Sequence, residues 1–136
     1  MSNFVNALAA ALQQAVKADA ALSLRLAPQG LSDRTVRPQR FPALVLGTVE
    51  ARELLIDEPV AAEIVLALEA WSAVSRREAE EVMTAFGMAT RGLTLAAGMR
   101  LVSFDRQKTT SRRLVKEGLF VAEARFRAVI EQGSIE

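Results

Sequence analysis

Residues Ala61 to Ser72, AAEIVLALEAWS, constrain this chain more than any other stretch. In an extended strand successive side chains change face, so Ile64, Leu66, Leu68 and Ala70 share one side, while Glu63, Val65, Ala67, Glu69 and Trp71 share the other. The first side is wholly apolar and has to be covered. The second is mixed and carries the only tryptophan in the protein. A central strand with helices packed over its apolar face satisfies both sides.

The flanking residues supply the cover. Ser2 is placed to cap a helix in which Phe4, Val5, Leu8, Leu12, Ala15 and Val16 recur at intervals of three and four, one buried stripe running to about Asp19. Ala20 to Leu26 either continues this helix after a break or forms a short second turn. Pro28, Gly30 and Pro38 punctuate a loop that carries Arg34, Arg37 and Arg40. Phe41-Pro42 then opens a strand from Ala43 to about Arg52, with Leu44, Leu46 and Thr48 on one face and Val45 and Val49 on the other. Gly47 marks a bulge or a close backbone approach. From Glu53 to Val60, through Asp57-Glu58-Pro59, a long antiparallel hairpin is the economical connection to the central strand.

Beyond Trp71, Ser75 and Glu78 form a capping box, the signal for a second main helix. Ala79, Val82, Met83, Phe86 and Thr90 make its apolar stripe, and Gly92 marks its end. Met99 to Arg106 is a third strand, with Val102 and Phe104 on one face and Leu101 on the other. Gln107 to Gly118, QKTTSRRLVKEG, is polar and basic, and is either a flexible loop or the tip of a two-stranded arm. Leu119 to Ile130 alternates cleanly, with Phe120, Ala122, Ala124, Phe126, Ala128 and Ile130 inward against Glu123, Arg125 and Arg127. The order predicts an α+β fold, a mostly antiparallel four-stranded sheet with two main helices packed on one face, in a single domain over residues 1–136.

Composition narrows the chemistry. The 136 residues include no cysteine, histidine or tyrosine. A disulfide framework, thiolate zinc ligands, a cysteine nucleophile and the commonest general base are therefore all excluded. The seven glycines are scattered and form no phosphate-binding loop. Asp57-Glu58 beside a proline suits a solvated turn better than a catalytic pair. Glu78, Glu80 and Glu81 do not converge on one helix face as metal ligands would. The expectation is a protein without enzymatic activity, cofactor or metal. The N-terminus has no basic residue ahead of its apolar run, so it is not expected to be a signal peptide, and no apolar run is long enough to suggest a membrane span.

Net charge is only +1, but its distribution is uneven. Between Asp57 and Glu81 seven acids face two bases; between Arg100 and Lys116 six bases face one acid. Such opposed regions suit head-to-tail association of identical chains. They also fit solvated loops and a polar helix face. The basic 106–116 loop supports an alternative, a small nucleic-acid-binding α+β domain. Yet Phe104, Phe120 and Phe126 fall on the apolar face, which leaves only Trp71 to stack on a base.

Taken in order, KADAAL, FPALVLG, EIVLALEAWS, SRREAE, GMRLV and EGLFVAEARFRAVIE resemble the tail-completion or tail-terminator proteins of long-tailed phages and gene transfer agents. The fixed points are Phe41-Pro42, Gly47, Trp71-Ser72, Gly98, Gly118 and Arg125-Phe126-Arg127. The resemblance implies a structural virion protein forming a ring, typically hexameric, at the head-proximal end of the tail. There it ends tail-tube polymerisation and provides the head-tail joining surface. Its implied partners are further copies of itself, the major tail tube protein and a head-completion or connector protein. DNA would contact it only in transit through the lumen, and no membrane is involved. Its location would be the tail of a phage or phage-like particle, and the host cytoplasm during assembly. Lys108, Arg112, Arg113, Lys116, Glu69 and Trp71 are the candidate subunit or tail interface. For Trp71 two options stand, an anchor against a neighbouring subunit or a side chain packed within its own chain.

Overall fold

The structure, a computed structural model, describes residues 2–26, 29–33, 38–54, 60–96 and 98–132. Arg34, Arg37 and the Asp57-Glu58-Pro59 turn lie outside these, as does the side chain of Ser2. Helix α1 (Ser2–Ala18) is followed by α2 (Ala20–Leu26), β1 (Leu31–Asp33), β2 (Ala43–Leu54), β3 (Val60–Ser72), α3 (Arg76–Ala89), β4 (Met99–Leu114) and β5 (Leu119–Gln132). The α+β class holds. The sheet has five strands rather than four, in the order β1-β2-β3-β5-β4.

The extra strand is β1, which runs parallel to Leu44–Leu46 inside the stretch expected to be a loop. Three residues are too few to display a period, and the strand is placed by Leu31, whose side chain is buried in the core. The other four strands pair antiparallel throughout, and β3 is central as expected. The break between α1 and α2 is real. Asp19 separates them, its Oδ1 accepting from the Leu22 amide at 3.0 Å to start the second helix.

One face of the sheet is covered. Phe4, Leu8, Leu12 and Val16 of α1 join the core with Leu44, Leu46, Ile64, Leu66 and Leu68, while Ala79, Val82, Met83 and Phe86 of α3 press on β3 and β5. Phe126 sits at the centre. Its ring meets Phe86 edge-on with centroids 5.5 Å apart and stacks on Phe104 at 5.0 Å.

Bulges correct the expected facing at two points. The register of β2 against β3 shifts between Leu46 and Val49, so Gly47 and Thr48 together oppose Ala67. Val49 therefore packs against the same core as Leu46, not on the opposite face. Glycine suits this close approach, since a Cβ at position 47 would lie 3.3 Å from the Ala67 carbonyl oxygen and the neighbouring strand would have to give by a few tenths of an ångström. In β4 a shift between Leu101 and Ser103 leaves Val102 as the extra residue, 46% exposed, and puts Leu101 on the core side with Phe104. Simple alternation had assigned those two residues to opposite faces.

The start of α3 is a modified capping box. Ser75 Oγ accepts from the Glu78 amide at 3.0 Å, as the motif requires. The Glu78 carboxylate, however, accepts from the Ser72 hydroxyl at 2.6 Å, and Ser72 Oγ in turn accepts from the amides of Val74 and Ser75. The last residue of β3 is thereby tied to the first turn of α3. The helix ends at Ala89, with Thr90 as its C-cap and Gly92 in the left-handed region at φ 72°.

A candidate assembly surface

Of the two expectations for Gln107 to Gly118, the two-stranded one holds and the flexible loop does not. Strand β4 continues to Leu114, a turn covers Val115 to Gly118, and β5 pairs with β3 from Phe120 to Gln132. Only the tip passes the end of β3, where Val115 is 71% exposed. The basic residues therefore belong to an edge strand of the sheet. A second bulge, between Arg106 and Lys108, decides which way they face.

Directly paired residues share a face. Lys108 lies opposite Arg125 and Arg112 opposite Val121, on the face away from the helices; Arg113 lies opposite Phe120, on the helix side. Lys116 sits in the turn. The four predicted cations thus share one edge rather than one face. Among the described residues Lys108, Arg112 and Arg113 form no ion pair with an acid. On the helix side, the Ser111 hydroxyl donates to Glu80 of α3 at 2.7 Å, which ties the edge strand to the helix layer.

Glu69 and Trp71 occupy the open face but are not exposed on it. Trp71, 1% exposed, packs with Ala43, Val45, Leu119 and Val121, with Phe41 and Leu114 at the rim. This is the own-chain option, a second small core on the far side of the sheet. The indole Nε1–H donates to Glu69 Oε1 at 3.1 Å, and that hydrogen bond helps keep a buried carboxylate solvated by the protein.

Beside this cluster a groove of about 300 Å³ runs across the open face, lined by Ala67, Lys108, Thr110, Glu123 and Arg125. Further along, Glu63 is gripped from both sides. Arg52 Nε donates to its Oε1 at 2.6 Å, and Arg127 Nε donates to its Oε2. These two guanidinium groups, Arg127 foremost, hold the Glu63 carboxyl below its ordinary value. Neither the groove nor this bridge was visible in the sequence. Arg127 reaches Glu63 diagonally across two strands, and Lys108 meets Arg125 only because Gln107 is bulged out.

These features define a small α+β protein with a covered face, an open charged face and a basic edge. The chain belongs to the family of tail completion protein gp17, whose profile it matches over residues 10–131, and it is thus a structural component of a virion tail. Its fold is also similar to a chain described as "Virion of native gene transfer agent (GTA) particle", with a TM-score of 0.76 and 24% identity, covering 93% of this chain and 96% of that one. Among curated proteins no relative matches. No helix among the described residues is long and apolar enough to cross a membrane.

Proposed function

We propose that this tail protein assembles as a homo-oligomeric ring, a hexamer, at the head-proximal end of the tail, where it stops polymerisation of the tail tube and presents the surface to which the head is joined. One face of the ring meets the major tail tube protein and the other a head-completion or connector protein, with DNA passing through the lumen. Lys108, Arg112, Arg113 and Lys116 contribute contacts at its interfaces, and Glu69 and Trp71 support the sheet behind them. The observation that carries this reading is the family match over nearly the whole chain. The unpaired cations of the edge strand support it, because a cyclic head-to-tail contact uses two different patches of one surface.

Specific nucleic-acid binding has less in its favour. Phe126 and Phe104 pack under the helices and Trp71 is buried, so no aromatic platform faces outward. The test is capping. Purified protein is added to tail tubes that lack it and viewed by negative stain. The expected outcome is a ring at one end of each tube and no further growth when tube protein is supplied. Tubes that stay bare and continue to elongate would refute the proposal.

A further inference from the structure

The sheet has two unfinished edges. On one side β4 pairs, among the described residues, with β5 alone. On the other, β1 covers β2 only at Leu44–Leu46, so Thr48–Leu54 has a neighbour on the β3 side alone among the described residues. Thr48, Glu50, Ala51, Arg52 and Glu53 are exposed there. An open edge of this length offers a row of backbone donors and acceptors to any strand that fits it.

The two edges differ in charge. On β2 the guanidinium of Arg52 is engaged by Glu63, which leaves Glu50 and Glu53 to set the sign. On β4 it is set by Lys108, Arg112 and Arg113. Two β4 edges would repel each other, as would two β2 edges, whereas β4 against β2 attracts. That difference disfavours the two-fold dimer and favours a heterologous contact, the kind that closes into rings.

Strand direction agrees. Across β2, β3, β5 and β4 the chain alternates up, down, up, down, so β4 runs opposite to β2. A second copy placed beside β4, with its helices on the same side, therefore presents its β2 in the antiparallel sense. The alternation then continues from copy to copy without a break. We propose that β4 of one subunit pairs with the Thr48–Leu54 edge of the next, joining the sheets of the ring edge to edge.

One register suits both strands. Lys108–Leu114 is free of bulges, since the last shift in β4 lies before Lys108, and the shift in β2 lies before Val49. Setting Glu50 opposite Arg112 lays these segments against each other with faces matched. Ala51 then meets Ser111 on the helix side, Arg52 meets Thr110, and no like charges are opposed.

This inference rests on the ring reading above and deepens it by naming the contact. The test uses the absence of native cysteine. Ala51→Cys and Ser111→Cys are introduced together, and rings formed on tail tubes are oxidised. Within one chain these positions are three strand spacings apart across the sheet, about 14 Å, and are further separated along it, since Ala51 is level with Phe104 of β4 and not with Ser111. A disulfide needs Cα atoms closer than about 7 Å, so any bond formed joins two subunits. The expected result is a ladder of covalent multimers on a denaturing gel, which neither single-cysteine variant gives beyond a dimer. In parallel, Glu50→Arg and Arg112→Glu should each lower the fraction of capped tubes roughly tenfold or more, and the two changes together should restore it. Rings on wild-type tubes with no ladder and no rescue would overturn the edge pairing and leave the ring intact. Absence of rings on wild-type tubes would overturn both.

Discussion

Phe126 shows how much one position carries at the scale of a single residue. It is the inward residue at the middle of the cleanest alternation in the chain, and it touches one ring from α3 and another from β4. Truncating it would open a cavity among three elements at once. Phe126→Ala should therefore destabilise the subunit by about 3–5 kcal/mol, read as a lower urea midpoint at an unchanged m-value. Glu63 makes a different prediction. Its carboxyl is held below the ordinary 4.5 by Arg127 and Arg52, so it adds stability above that value and loses it as pH falls through the lower, folded-state value. The gap in thermal midpoint between wild type and Glu63→Gln should be widest near neutrality and should narrow as pH is taken below 4.5. A gap that stays constant with pH would mean that the bridge contributes nothing in solution.

Among elements, the junction of β3 and α3 depends on Ser72. Its hydroxyl donates to Glu78 and accepts from two backbone amides, so a single side chain replaces the return arm of the capping box. Ser72→Ala should cost about 1–3 kcal/mol, since it strands these amides and the carboxylate at a half-buried site; a chemical-denaturation midpoint measures it. The spacing of Ser75 and Glu78 announced the helix start correctly. What it could not announce was that Glu78 would turn to a serine six residues earlier, a choice made by where β3 ends. The strands show the same division. Facing was correct along β3 and β5, which pair without a bulge, and failed at Val49 and Leu101, each just beside an inserted residue. A one-residue bulge reverses every later side chain in its strand, and nothing in the composition of Val102 or Gln107 marks them as bulged.

For the whole molecule, hydrophobic periodicity was enough to establish the α+β class, the central place of Ala61–Ser72, the stripes of α1 and α3 and the inward set of β5. Each of these follows from local spacing and the need to bury an apolar face, and both are written into neighbouring residues. The lack of cysteine and histidine likewise removed thiol and imidazole chemistry before any fold was known. Tertiary structure decided the rest. It inserted β1 beside β2, chose the two-stranded reading of the basic stretch over the loop, and chose for Trp71 packing within its own chain, against Val45 and Val121. It also dispersed Lys108, Arg112, Arg113 and Lys116 along an edge while bringing Glu63, Arg52 and Arg127 together from three strands. The reason is one of range. A period of two or 3.6 is fixed by the backbone geometry of adjacent residues, whereas an edge, a bulge or a bridge exists only once strands distant in sequence have chosen their neighbours and their register.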